Sequence, residues 1–381
     1  MLYFHNNYYK LMNKRRYNIV FLDFDDIKNP LLNAGQARAT YEVGTRLAKM
    51  GYFVTVYCSR YPGSRDRIEN GIRYRHISLG TRYIRLNNLF YILTLPFYVR
   101  QIKVDIIIES FVAPISTLCS PLFTKVPVIG LPSMFNAKAF FRKYHIPFHW
   151  VERFGSRVYK YFLPYSDIDS MKMRLLNPGI KYKIVPQGVD DEYFRVKHNT
   201  PKHILFLSRL DIEQKGIDLL LESYARVKNK LHFPLVIAGH GPDREKVVEL
   251  IKRLGLQKDV KLVGSAYGVK KKKLIADALY VVFPSRHDEL SLWALEAFAS
   301  GMPIVAFDLP EAIWMSKKAS LKAKPYDIAE YASFLLKAAN PSRNKNMRIE
   351  ARRLAQAYTW KKVVILFDEF ISEILKIESS K

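Results

Sequence analysis

The segment FPSRHDELSLWALEAFASGMPIVAF (283–307) places two carboxylates, Asp288 and Glu296, with seven residues between them. An apolar strand ends at Pro284-Ser285, so Asp288 falls in the loop that follows. Glu296 lies about two turns along the next predicted helix. The backbone N–H groups of Leu290, Ser291 and Leu292 open that helix and suit phosphate or sugar oxygens. A carboxylate suits a diol, because it accepts two hydrogen bonds at once. Glu296 is flanked by Leu295, Ala297 and Phe298, which predicts a half-buried face rather than a solvated one. Glu289 stands beside Asp288, but its spacing to Glu296 is one residue short.

A second loop, SRLDIEQKGID (208–218), holds two cations. Arg209 sits at the end of a strand, and Lys215 lies just before Gly216 and a helix. Cations at the mouth of a sheet, beside a helix N-terminus, make a clamp for a diphosphate. The competing expectation is that Arg209 pairs locally with Asp211 or Glu213. A third loop, DDIKNPLLNAG, ends on Gly35, where a helix begins. Glycine there lets backbone approach a ligand.

These loops need strands to carry them. Ile19–Phe24, Phe53–Cys58, Asp105–Glu109 and Val126–Leu131 read as buried strands, with Gln36–Met50 as an intervening helix. The rhythm restarts with Ile204–Ser208, Leu235–Ala238, Val260–Val263, Leu279–Phe283 and Ile304–Phe307, separated by helices such as Ile217–Val227 and Arg244–Leu254. Apolar strands alternating with helices predict an α/β chain of two doubly wound domains, with ligands at the carboxyl ends of the strands and the domains facing across a cleft. The polar stretch around Asp190–Lys202 reads as the linker between domains 1–189 and 190–359. Lys270–Lys273 reads as a short low-complexity run.

At 381 residues, 49% hydrophobic and 25% charged, the chain is globular in composition. Disorder, collagen and coiled coil are excluded. The two cysteines, Cys58 and Cys119, supply neither a disulfide framework nor a zinc finger, which fits a reducing, cytoplasmic setting. No His/Asp cluster with ligand spacing stands out, so no metal is expected. No stretch predicts a spanning helix, and the N-terminal residues read as a loose basic-aromatic extension rather than a secretory signal.

The net charge of +26 points to an anionic partner. It is denser in the first half, where residues 1–190 carry 28 basic and 12 acidic side chains. Two basic-aromatic stretches, 81–103 and 138–162, suit a lipid headgroup region. No RNA-reading motif accompanies the charge, so no nucleic acid is expected.

Several of these segments together resemble the family-four glycosyltransferases of the GT-B fold, the retaining group that uses nucleotide sugars. They are LSRLDIEQKGIDLLLESYARV, LVIAGHGP, VKLVGSAY, PSRHDELSLWALEAFASGMPIVA, VPQGVDDEYF and YTWKKVVILFDEF. The resemblance spans about residues 18–375 and is strongest in the second half.

The resemblance implies that Arg209 and Lys215 hold the donor diphosphate, that Gly35 closes over it, and that Glu296 binds the ribose. Asp288 takes the place of the first acid of the family's Glu-x7-Glu motif, where it would touch the transferred sugar. Backbone near Gly264 and Ser265 would meet the base. A UDP- or GDP-sugar is then the donor substrate, with no further cofactor. A glycan or lipid-linked molecule is the acceptor, and the enzyme sits peripherally on the inner face of the cell membrane. The first domain would bind the acceptor, and the helix at about 360–381 would pack back on it.

One departure stands out. The family histidine expected after Val126–Leu131 is missing, and Ser133 or Asn136 is the substitute contact. His145 and His149 are left without a role. Alternatives of the same fold are a nucleotide-sugar epimerase and a relative that binds nucleotide sugars without catalysis.

Overall fold

The computed structural model describes residues 17–31, 35–112, 119–132, 148–288 and 290–380. Two compact units emerge: one runs to Gln187 and regains the chain from Trp360 onward, and the other is Gly188–Thr359.

The first unit is built on β1 (Asn18–Leu22), α1 (Gly35–Lys49), β2 (Phe53–Ser59), β3 (Arg67–Glu69), β4 (Ile72–Ile77), α2 (Ile84–Gln101), β5 (Ile106–Phe111), β6 (Val128–Pro132), α3 (Phe148–Val158), β7 (Tyr161–Phe162), α4 (Asp167–Leu176) and β8 (Lys181–Tyr182). The sheet order is β3-β4-β2-β1-β5-β6-β7-β8. Every pair is parallel except β3–β4. Ile19, Val20, Phe21 and Leu22 of β1 and Ile106, Ile107 and Ile108 of β5 are all buried, as strands covered on both faces must be.

The β3–β4 hairpin is an addition to the sequence reading. It turns on Asn70-Gly71, both with positive φ (49° and 83°), the pairing that a tight hairpin requires.

The second unit carries α5 (Asp191–Phe194), β9 (His203–Leu207), α6 (Ile212–Lys215), α7 (Ile217–Val227), β10 (Leu235–Ala238), α8 (Arg244–Arg253), β11 (Val260–Gly264), α9 (Gly268–Ala276), β12 (Ala278–Phe283), α10 (Leu292–Ala299), β13 (Ile304–Phe307), β14 (Ser320–Ala323), α11 (Ile328–Ala338) and α12 (Pro341–Ala355). Its sheet is wholly parallel, in the order β11-β10-β9-β12-β13-β14. One core packs Ile217, Tyr224, Val247 and Leu335 on one face. The other packs Trp293, Phe298, Met302 and Ala351 on the opposite face.

The stretch read as a linker, 190–202, is packed within this unit. Tyr193 and Val196 are buried beside Trp293 and Phe298. The Arg352 guanidinium also donates to the Val196 carbonyl at 2.9 Å.

The last helix, α13 (Trp360–Ser379), returns to the first unit. Tyr52 donates to Asp368, and Lys181 pairs with Glu373 at 2.7 Å. Among the described residues, no helix is long and apolar enough to cross a membrane.

Candidate active site

In the second sheet the chain winds outward from β9 through β10 to β11, then returns to start the other half at β12. The carboxyl ends of β9 and β12 therefore flank the point where strand order reverses, the place where open α/β sheets bind ligands. The loop after β9 carries Arg209 and Lys215, and the loop after β12 carries Asp288.

Backbone geometry stitches these two loops together. Gly216 is in the left-handed region (φ 61°), and a β-carbon there would lie 2.1 Å from the Pro284 carbonyl oxygen. Only glycine permits that approach. The Arg286 N–H donates to the Gln214 carbonyl at 2.9 Å. The Arg286 guanidinium bonds the Ile212 carbonyl (2.8 Å) and grips both oxygens of Asp218 (2.8 and 2.7 Å). A planar fork matched to a carboxylate fixes direction as well as distance.

Held in this way, Lys215 Nζ meets Asp288 Oδ2 at 2.5 Å, with both side chains largely buried. Arg209 is more exposed. It pairs with Asp211 at 3.1 Å, as the competing expectation had it, and also bonds Gln214 Oε1 at 2.6 Å. Gln214 in turn reaches the His287 carbonyl at 3.4 Å, so Arg209 is tied to the loop of Asp288 through one side chain.

The helix α10 begins at Leu292 with Ser291 as its N-cap, and the Ser291 side chain makes no cap bond. The first intrahelical bond runs from the Leu295 N–H to the Ser291 carbonyl. The N–H groups left outside the helix ladder are thus those of Leu292, Trp293 and Ala294, while Leu290 precedes the cap and is buried.

Glu296 forms an ion pair with Lys271 of α9. The Lys271 ammonium also lies 5.3 Å from the Trp293 ring centroid and 5.5 Å from that of Tyr193, within cation–π range. Burial and the adjacent Glu296 carboxylate push the Tyr193 phenol up. Asp288 and Glu296 are therefore each answered by a different lysine. Gly264 ends β11 with φ 68° and open space where a β-carbon would sit.

Sequence reasoning missed Lys271 because it lies among four lysines, Lys270–Lys273, that read as a short low-complexity run. It missed Gln214 and Tyr193 as well. Tyr193 had a usable signal: an aromatic residue inside a polar stretch.

In the first unit, Gly35 opens α1 and is exposed. The loop after β1 is rich in buried acid. Asp23 accepts from Thr40 at 2.5 Å, and burial raises its carboxyl to about 7. Asp26 takes a bidentate bond from Arg67 (2.6 and 2.7 Å) and one from His76 (2.8 Å), which hold it well below the usual range against its burial. Asp26, Cys58 and His76 form a three-residue group with ligand atoms within 4.8 Å of one another, a grouping that chain spacing does not reveal. The Arg67 guanidinium already supplies the cation for that carboxylate. Glu109 is buried on β5, where it accepts from Ser120 (2.8 Å) and Tyr159, and burial raises it to about 7. Ser133, Asn136, His145 and Glu289 lie outside the described residues.

The architecture matches solved GT-B enzymes over nearly its whole length. Sucrose-phosphate synthase from Thermosynechococcus elongatus superposes with a TM-score of 0.76 at 16% identity, covering 95% of this chain and all of the other. Anabaena HepE, solved in complex with UDP and glucose, gives 0.72 at 14% identity, covering 94% of this chain and all of the other. At that identity the likeness defines the fold alone: two doubly wound domains of the GT-B class.

The sequence takes the matter further. Residues 33–193 match the model described as Glycosyltransferase Family 4, and residues 201–340 match that for Glycosyl transferases group 1. Together these two matches support a glycosyltransferase of the family-four type, and they favour a transferase over an epimerase. An uncharacterised glycosyltransferase of Methanocaldococcus jannaschii is 38% identical over 104 residues, which is 27% of this chain and 26% of that protein. The MMP alpha-(1->4)-mannosyltransferase of Mycolicibacterium hassiacum is 25% identical over 201 residues, 50% and 49% of the two chains. These matches span between about a quarter and a half of those relatives.

Proposed function

We propose that this chain transfers a hexose-type sugar from a nucleoside diphosphate sugar, UDP- or GDP-linked, to a glycan or lipid-linked acceptor with retention at the anomeric carbon. The second unit binds the donor and the first binds the acceptor. The observation that carries the reading is the Lys215–Asp288 pair at the switch point, beside the uncapped start of α10.

As the anomeric carbon–oxygen bond breaks, the leaving diphosphate gains charge. Lys215, Arg209 and the first N–H groups of α10 answer that charge, and answer it more strongly in the transition state than in the ground state. Asp288 orients Lys215 and accepts from a hydroxyl of the transferred sugar. Glu296, held by Lys271, accepts from the ribose diol. Gly264 leaves room for the base. The acceptor hydroxyl attacks from the face that the phosphate leaves, and its proton passes to a phosphate oxygen.

The relatives support a nucleotide donor, since HepE was solved with UDP and glucose. The excess positive charge of the first half supports work at an anionic membrane surface on the cytoplasmic side, which a lipid-linked acceptor requires. The test is a panel of UDP- and GDP-sugars, scored first by thermal shift with the free diphosphates and then by release of UDP or GDP. Stabilisation by one diphosphate together with turnover of its sugars supports the reading. Stabilisation without turnover of any donor, with or without added acceptors, would make the chain a binding protein.

A further inference from the structure

The helix α2 is apolar on two opposite faces. Tyr91, Leu95 and Val99 are buried in the core of the first unit. On the other side Leu86 is 38% exposed, Leu89 49%, Leu93 56% and Phe97 65%. At about 100° per residue these four side chains fall within an arc of about 80°, directly opposite the buried set. A surface helix of a soluble domain presents polar residues there, whereas one that is apolar all round is expected to be covered.

The surroundings say by what. No acidic residue occurs between Glu69 and Asp105. Arg82 and Arg85 stand exposed at the start of α2, and Arg100 and Lys103 stand exposed at its end. The Arg100 guanidinium lies 5.4 Å from the Phe123 ring centroid, next to Leu122, which is exposed as well. An apolar stripe bracketed by arginine and lysine, with no acid among them, complements an anionic surface with an apolar interior. A lipid leaflet has both properties.

We infer that the outward face of α2 docks on an anionic lipid leaflet, with Leu86, Leu89, Leu93 and Phe97 entering the boundary between headgroups and acyl chains. The flanking bases pair with lipid phosphates. This rests on the membrane reading above and gives it a location. The stripe lies on one face of the unit that is proposed to bind the acceptor, so docking would hold that unit against the leaflet.

The experiment is flotation of the full chain with phosphatidylcholine vesicles, with and without phosphatidylglycerol, at low and at physiological salt. Wild type is compared with Leu89→Gln/Leu93→Gln/Phe97→Gln and with Arg82→Gln/Arg85→Gln/Lys103→Gln. All these side chains are exposed, so circular dichroism and thermal melting should match wild type. Wild type should float with the anionic vesicles, and each triple variant should lose about tenfold or more in bound fraction, as expected when buried apolar area and basic charge act together. Leu93→Trp adds a direct readout of depth: brominated acyl chains should quench its emission.

Equal flotation of the Gln variants and wild type would overturn α2 as the docking face while leaving the membrane reading in place. No flotation of wild type at low salt would overturn both, yet leave the donor-binding test untouched. A dimer in sedimentation that the Leu89→Gln/Leu93→Gln/Phe97→Gln variant abolishes would assign the stripe to a second copy of the chain instead.

Discussion

Gly216 and Pro284 touch so closely that the Pro284 carbonyl occupies the space of a β-carbon at Gly216. This contact between the loops after β9 and β12 brings Lys215 to Asp288 across 73 residues of sequence. The left-handed φ of Gly216 and the lost space act against any side chain. Gly216→Ala should therefore destabilise the second unit by at least ~2 kcal/mol. Thermal melting checks this. A variant as stable as wild type would mean that the loops part without cost.

Lys215 and Arg209 should separate in their effects on folding but not on transfer. Each change to Ala should lower turnover by roughly 10²–10³, as when a charged contact to a leaving group is lost. Arg209 is exposed, so Arg209→Ala should leave stability within about 0.5 kcal/mol. Lys215 is the largely buried partner of Asp288, and Lys215→Ala should cost ~1–2 kcal/mol. Steady-state kinetics and melting on the same preparations decide it. Near wild-type turnover in both variants would remove the diphosphate role.

Lys271 should act through Glu296. Lys271→Ala should raise the donor KM by roughly 5–20-fold with little change in kcat, because the ribose does not react. Lys271→Arg should recover most of the loss, and combining Lys271→Ala with Glu296→Gln should add little to the Gln change alone. Calorimetric titration with UDP and GDP reads the binding part directly. Additive losses would show that the two residues work separately.

Glu109 gives stability a pH dependence. In the folded chain it keeps its proton up to about 7, whereas an unfolded Glu loses it near 4.5. The native state thus binds more protons between those values, and stability falls as pH rises through that window. Glu109→Gln removes the cost. It should melt higher than wild type at pH 8, by up to roughly 3 kcal/mol, with the advantage vanishing below pH 4.5. A constant offset across pH would sink the argument. Asp23, raised by the same burial, should add to the wild-type slope.

Strands with continuous apolar runs were legible in sequence. Leu235–Ala238, Ile304–Phe307 and the helix Ile217–Val227 have the bounds that periodicity predicts. The hairpin β3–β4 was not, because IENGIRYRHI alternates and is partly exposed, a pattern that reads as loop when sought among buried parallel strands. Side chains borne on one loop, such as Arg209 and Lys215, announced themselves by spacing. Lys271 did not, since its partner Glu296 is 25 residues away and only the folded chain brings the two together. The polar stretch at 190–202 misled for a related reason: Tyr193 and Val196 anchor it, and two buried side chains outweigh a hydrophilic average.

The helix α13 begins after the second unit is complete, yet its buried face, with Val363, Phe367, Phe370 and Ile371, belongs to the first. The second unit is one unbroken stretch of chain, whereas the first is closed by a segment that leaves the ribosome only after the whole of the second unit. During synthesis the second unit can therefore reach its native state first, even though the first unit begins to emerge earlier. Tyr52 waits more than three hundred residues for the Asp368 carboxylate that accepts its hydrogen bond. A nascent chain arrested before residue 360 should accordingly carry a protease-resistant second half behind a first half that is still open to cleavage.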